Sequence, residues 1–325
     1  MSTSSPSGRV LADIGGTHAR FAWQASAGAA IEQVRVLRVA EHPSLQHALR
    51  SYLDGIGLRR PAAAAIAMAN PVTGDVVRMT NHDWSFSQAA LQAEFGLSTL
   101  RVLNDFTALA LALPHLPAAD LRQVGGGQAQ PDAAIGLLGA GTGLGVSGLL
   151  PNGRGGWVPI QGEGGHVTLP AFTPRERLVM DGFHRRHGRA SAERLLSGPG
   201  LLEAFLLLCE ADGASTGDLN SAAAVSEAAL AGSHPQATEA LNLFCALLGT
   251  VAGDLALTLG ARGGVYVGGG IVPRLGAWFD ASPFRERFEA KGRFQAYLAA
   301  IPVWVITAEQ SPALIGASRA LDDLG

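Results

Sequence analysis

The stretch VLADIGGTHARFAW, residues 10–23, decides the fold. An apolar run reaches Asp13, passes two glycines and Thr17, and gives way to a second apolar run. Glycine accepts the positive φ of a tight hairpin, so Gly15 and Gly16 read as the turn between two antiparallel strands. Turn chemistry gives Asp13 no role. A carboxylate beside glycines whose amides are open to a ligand is one way a protein meets a phosphate and its magnesium.

The same pattern returns in IGLLGAGTGLGVSGLL, residues 135–150, with Gly141, Thr142 and Gly143 at the turn. Each stretch opens an α/β half, so the chain reads as a duplicated fold with one phosphate-facing hairpin per half. Two such hairpins facing a cleft would clamp a triphosphate with backbone amides. That suits a chain whose only lysine is Lys291. The lysine shortage also excludes a P-loop, which needs G-x-x-x-x-G-K-[ST]. A formal G-x-G-x-x-G falls on Gly143, Gly145 and Gly148, but it opens a strand where a dinucleotide site needs a helix.

Around the first hairpin, strands are expected at 9–14, 19–24, 31–39, 62–68 and 99–104, and helices at 43–55 and 87–95. Residues 114–132, rich in proline and glycine, read as a linker. Helices then dominate, including a long apolar one over 236–261, with buried strands at GVYVGG and PVWVIT. A last helix from Ser311 returns to the first half. The expected domains are 1–115 with 309–325, and 116–308.

Hydrophobic residues at 47% and charged residues at 16% describe a globular chain, and a net charge of −3 gives no pull towards nucleic acid or anionic membrane. The polar start MSTSSPSG has no apolar segment behind it, and no run reads as a membrane span. A soluble, cytoplasmic protein is expected. Cys209 and Cys245 sit in apolar helical patterns and read as buried, inert thiols.

Two loops carry further chemistry. Asn104-Asp105 lies between an apolar strand and an apolar helix, where either residue suits an N-cap and Asp105 also suits a general base. Glu163 and His166 lie in PIQGEGGHVTLP and suit a polyhydroxylated ligand; no further cluster completes a metal site. Glu193 follows Ser191 by two residues, not the three of a capping box. The basic run HRRHGR, 184–189, reads as a solvated helix end.

ADIGGTHARFA, MTNHDWSFS, LNDFTALA, GAGTGLGV, GEGGHV, SAERLLSGPGL, GGVYVGGGIVPR, KGRF and IPVWVI occur in an order that resembles the bacterial glucokinases, the branch of the actin/hexokinase-like superfamily without a zinc site. The resemblance implies a two-domain actin-like, ribonuclease H-like α/β sugar kinase with an interdomain cleft, phosphorylating glucose at its 6-hydroxyl with ATP. It implies Asp105 as general base, and Asn104, Glu163, His166 and Glu193 on the sugar hydroxyls. Asp13 would orient Mg2+ through water, with Gly15, Gly16, Thr17, Gly141, Thr142 and Gly143 around the phosphates and Gly268, Gly269 and Gly270 against the adenosine. It also implies a homodimer. The chain departs from the family at His18, Asn70 and Gly268. The rival readings are a kinase for another hexose and a sugar-binding regulator without catalysis.

Overall fold

The computed structural model describes residues 8–57, 60–70, 72–79, 82–308 and 310–323. Residues 1–7 of the polar start, and Thr80 and Asn81 of MTNHDWSFS, lie outside the described residues. The chain divides into two compact units, Met1–Pro117 with Ala308–Gly325, and Ala118–Thr307.

In the first unit the strands are β1 (Arg9–Ile14), β2 (His18–Gln24), β3 (Ile31–Arg38), β4 (Ala63–Met68), β5 (Val76–Arg78), β6 (Ser85–Ser87) and β7 (Thr99–Asn104). Its helices are α1 (Leu45–Gly55), α2 (Gln88–Phe95) and α3 (Asp105–Ala112), joined by α12 (Ala313–Asp323) from the end of the chain. The main sheet runs β3-β2-β1-β4-β7, with β1, β2 and β3 antiparallel and β1, β4 and β7 parallel.

Side chains alternate across a strand, so β1 loads both faces of this sheet. Val10, Ala12 and Ile14 pack with Leu45, Leu49, Tyr52 and Leu53 of α1. Leu11 turns to the other face, where Ala22 and Ala65 meet Leu314 and Ala317 of α12. Burying a leucine such as Leu314 contributes roughly 1.5–3 kcal/mol, which fastens the distant helix to this sheet. Helix α1 starts two residues later than expected. Ser44 is its N-cap, accepting from the His47 amide at 3.2 Å, so Pro43 stands outside the helix instead of in its first turn.

In the second unit the strands are β8 (Leu121–Val124), β9 (Ile135–Ala140), β10 (Leu144–Pro151), β11 (Trp157–Gln161), β12 (Val265–Gly268) and β13 (Val303–Ile306). The helices are α4 (Pro174–His187), α5 (Ala192–Leu195), α6 (Gly198–Asp212), α7 (Ala222–Leu230), α8 (Pro235–Leu259), α9 (Ala277–Asp280), α10 (Phe284–Glu289) and α11 (Gln295–Ala299). The sheet order is β11-β10-β9-β12-β13-β8. Its first five strands repeat the first unit: three antiparallel strands, then two parallel ones. The internal echo is therefore a duplication of topology. Strand β8 is the addition, pairing antiparallel with β13. It lies inside 114–132, which the sequence presents as a linker; two of its four residues are polar, and the exposed backbone edge of β13 supplies what local pattern does not.

Contrary to the sequence reading, α8 is long and apolar enough to cross a membrane by length and composition. It is a core helix. Phe244, Leu247, Leu248 and Ala252 are buried with Phe183, Phe205, Phe284 and Phe288. Cys209 and Cys245 are free and buried in this core, and burial pushes the Cys245 thiol up to about 12.

Candidate active site

Parallel pairing puts the ends of β1, β4 and β7 at one level, with Ile14 opposite Met68 and Met68 opposite Asn104. Open α/β sheets place their chemistry at such carboxyl ends. Two strand spacings set the backbones of Asp13 and Asn104 roughly 10 Å apart. The β1–β2 turn closes through the Gly15 amide, which donates to the His18 carbonyl at 2.9 Å, leaving Gly15 and Gly16 half-buried and Thr17 exposed.

Asn104 caps α3: its Oδ1 accepts from the Phe106 amide at 2.9 Å and the Thr107 amide at 3.3 Å. Its Nδ2 donates to the Asn70 carbonyl at 3.4 Å, and Asn70 in turn donates from Nδ2 to the Arg78 carbonyl at 2.6 Å. Asp105 is thereby relieved of capping and takes the first position of the helix, its Oδ1 accepting from the Phe106 amide at 2.9 Å. Burial pushes its carboxyl up to about 6, with the Phe106 amide opposing and the negative charge of Asp13 adding to the rise. A carboxylate tuned close to neutrality is a general base that still sheds its proton at pH 7.

Asp13 is held from two sides. Ser311 Oγ donates to its Oδ2 at 2.7 Å, and Arg20 Nη1 lies 3.4 Å from the same oxygen. Sequence alone gives no sign of the Ser311 contact, which joins residues 298 positions apart. The only available signal was that a helix starting there returns to the first half.

In the second unit the β9–β10 turn closes through the Gly141 amide, donating to the Gly143 carbonyl at 2.8 Å. The turn after β12 lies against it. A Cβ on Gly139 would come within 2.7 Å of the Gly268 carbonyl carbon, and the Ile271 amide donates to the Ala140 carbonyl at 3.2 Å. Gly141–Gly143 and Gly268–Gly270 thus share one neighbourhood. Among the described residues no cluster of three metal-ligating side chains exists.

Glu163, His166 and Glu193 also meet. His166 Nε2 lies 4.0 Å from Glu163 Oε2, and its Nδ1 lies 3.9 Å from Glu193 Oε1. These separations are too long for hydrogen bonds, so the three polar side chains meet without hydrogen-bonding one another. Ser191 caps α5 without help from Glu193, whose Oε2 instead accepts from the Leu144 amide at 3.0 Å. The basic run is the exposed end of α4, as its composition implies, and it pairs with acids at the surface. Arg186 and His187 pair with Glu203 of α6, and Arg189 Nη2 donates to the His166 carbonyl at 2.6 Å, bracing the Glu163–His166 loop. The candidate residues therefore form two groups, one in each unit.

A family model described as Glucokinase matches residues 10–324. The chain belongs to the glucokinase family. It is 54% identical to the Chromobacterium violaceum glucokinase over 325 residues, covering 99% of this chain and 92% of that one. The Aromatoleum aromaticum glucokinase is also 54% identical, over 97% of this chain and 95% of that protein. Among solved structures, a glucokinase from an Antarctic psychrotroph superposes with a TM-score of 0.88 at 33% identity, covering 98% of this chain and all of the other. A ROK family glucokinase from Streptomyces griseus, solved with glucose and AMPPNP, shares the fold at a TM-score of 0.63 and 22% identity, with 96% and 98% of the two chains covered. The architecture is the two-domain actin-like sugar-kinase fold of this family.

Proposed function

We propose that the chain phosphorylates glucose with ATP, with Asp105 as the general base. The oxygen of the sugar 6-hydroxyl attacks the terminal phosphorus of ATP, and the bond from that phosphorus to the bridging oxygen of ADP breaks. Asp105 accepts the hydroxyl proton, and the products are glucose 6-phosphate and ADP. The observation that carries this reading is the Asn104-Asp105 junction. A neighbouring side chain does the capping, while the acid stands at the carboxyl end of β7 with its carboxyl raised to about 6. A base so placed contributes about 10²–10⁴-fold.

Asn104, Glu163, His166 and Glu193 hold the sugar hydroxyls. The amides of Gly15, Gly16 and Thr17 and of Gly141, Thr142 and Gly143 cradle the phosphates, and Gly268–Gly270 lies against the adenosine. Phosphoryl transfer asks for positioning and charge stabilisation more than for covalent chemistry, so backbone amides suit it. Asp13 fits Mg2+: one carboxylate, already oriented by Ser311 and Arg20, is the usual protein share of a magnesium site completed by substrate phosphates and water. When bound, the ion neutralises charge on the phosphates.

The protein acts as a cytoplasmic homodimer without a nucleic-acid or membrane partner. A net charge of −3 and the burial of α8 support the last two points, and sedimentation equilibrium tests the assembly.

The reaction is tested by ADP release with Mg2+ and ATP against glucose, mannose, fructose, glucosamine and no sugar, beside Asp105→Asn. Glucose-dependent turnover that collapses in the variant is expected. A maximum on another hexose would replace glucose as the substrate. Calorimetric glucose binding without turnover on any sugar would refute the kinase and leave a sugar-binding regulator.

A further inference from the structure

Gly143 stands at the end of the second hairpin, yet its φ is not in the left-handed region. Its backbone would accept alanine. What a side chain there would displace is the Glu193 carboxylate: a Cβ on Gly143 would lie 2.5 Å from Glu193 Oε2 and 3.1 Å from its carboxyl carbon. The next amide, that of Leu144, donates to the same oxygen at 3.0 Å. The missing methyl group and the amide beside it together form a seat for one carboxylate oxygen. The other oxygen faces His166 Nδ1 at 3.9 Å.

The hairpin is tied to the Glu193 segment a second time. The Gly198 amide, at the start of α6, donates to the Gly141 carbonyl at 2.8 Å. Bonds at Gly141 and Leu144 thus fasten both ends of the turn to residues 193–198. The turn cannot shift without carrying the carboxylate with it. A bond from an amide to a carboxylate is among the stronger neutral-donor contacts, and holding Glu193 in one rotamer beforehand removes an ordering cost from ligand binding.

We propose that the Gly143–Leu144 end of the hairpin is part of the sugar site. It positions the Glu193 carboxylate, and through that carboxylate hexose and nucleotide binding are coupled. The inference rests on the reading of Glu193 as a sugar-binding group. Gly143 is a positioning residue here, since it acts on the sugar only through Glu193. Coupling of this kind is reciprocal: whatever hexose does to nucleotide affinity, nucleotide does to hexose affinity.

The test is calorimetry on the full chain, with glucose alone, with AMPPNP alone, and with each in the presence of the other. In Gly143→Ala the carboxylate must retreat by about 1 Å, and glucose binding without nucleotide weakens about tenfold or more. The factor by which glucose tightens AMPPNP falls towards one.

Glu193→Asp supplies the second arm, because shortening the side chain removes the clash. In that background Gly143→Ala costs less than about twofold in glucose affinity, a non-additivity that general damage to the hairpin would not produce. An unchanged glucose affinity in Gly143→Ala overturns the proposal. So does an equal cost of the methyl group in both backgrounds, or a retained coupling factor. Unchanged glucose binding in Glu193→Ala would overturn instead the sugar-binding reading of Glu193, independently of Gly143.

Discussion

Replacing Asp105 by asparagine should stabilise the protein while it removes the proposed base. The side chains have the same shape, and asparagine keeps the Oδ1 that accepts from the Phe106 amide. What disappears is the cost of ionising a half-buried carboxyl beside Asp13. A carboxyl displaced from the usual value of about 3.9 to about 6 destabilises the folded state by up to about 3 kcal/mol once it is ionised. Partial contact with solvent reduces that figure, and a negative charge in the first turn of α3 is worth roughly 0.3–1 kcal/mol, which asparagine forfeits. The net gain expected at pH 8 is therefore about 1–2 kcal/mol.

The sign follows from the raised value. The folded state prefers the protonated acid, so the wild type carries its full stability from this group below about pH 4 and loses it as pH rises through about 6. The advantage of Asp105→Asn is accordingly largest at pH 8 and falls to roughly a third at pH 4.5. Paired thermal melts at the two pH values measure it, at about 2–4 °C per kcal/mol. A melting point equal to or below that of the wild type at pH 8, or a gain that does not change with pH, would refute the electrostatic account of Asp105.

On the role proposed for Asp105, the same carboxyl governs the rate. For glucose, kcat/KM should fall about tenfold per pH unit below an apparent value near 6, because protonated Asp105 cannot accept the hydroxyl proton. Asp13→Asn removes the neighbouring negative charge, so the acid limb of its residual activity should move to lower pH; an unmoved limb would separate the two acids. Ser311→Ala deprives Asp13 of a 2.7 Å hydrogen bond and should raise the Mg2+ concentration for half-maximal rate about tenfold, with Ser311→Thr restoring most of it. Calorimetric binding of Mg·AMPPNP against AMPPNP alone reads the same effect without turnover, and equal metal dependence in Ser311→Ala and wild type would contradict it.

The readable features of this chain were those whose causes are local. A hairpin announces itself by glycines between alternating strands, as at Gly15 and Gly141, and a helix start by its cap, as at Asn104. The duplicated sheet order followed because two similar hairpins each opened an α/β half. Strand β8 was not readable, since the backbone edge of β13 causes it and that edge is almost two hundred residues away in sequence. Ser311 against Asp13 and Arg189 against the His166 carbonyl belong to the same class. Nothing in the residues around Ser311 or Arg189 differs from an ordinary helix start or a basic helix end, and only tertiary packing gives these side chains their partners.

The duplication also explains why the two hairpins differ in composition. Both turns occupy three residues, 15–17 and 141–143, between strands ending at Ile14 and Ala140. Counting back from each turn, the residue before the last in the strand is Asp13 in the first unit and Gly139 in the second. In the first unit that place can carry a side chain, and an acid there faces Ser311, Arg20 and the charge of Asp105. In the second the same place is closed by the backbone of Gly268 and Gly269, which approach Gly139 so nearly that any Cβ would collide with them. An acid at position 139 is therefore excluded by packing, and the carboxylate beside this turn comes from outside the strand pair, as Glu193 seated on the Leu144 amide. One topology supplies two glycine-rich turns. What fills the position behind each turn decides that the first carries a carboxylate on its own strand and the second borrows one from Glu193.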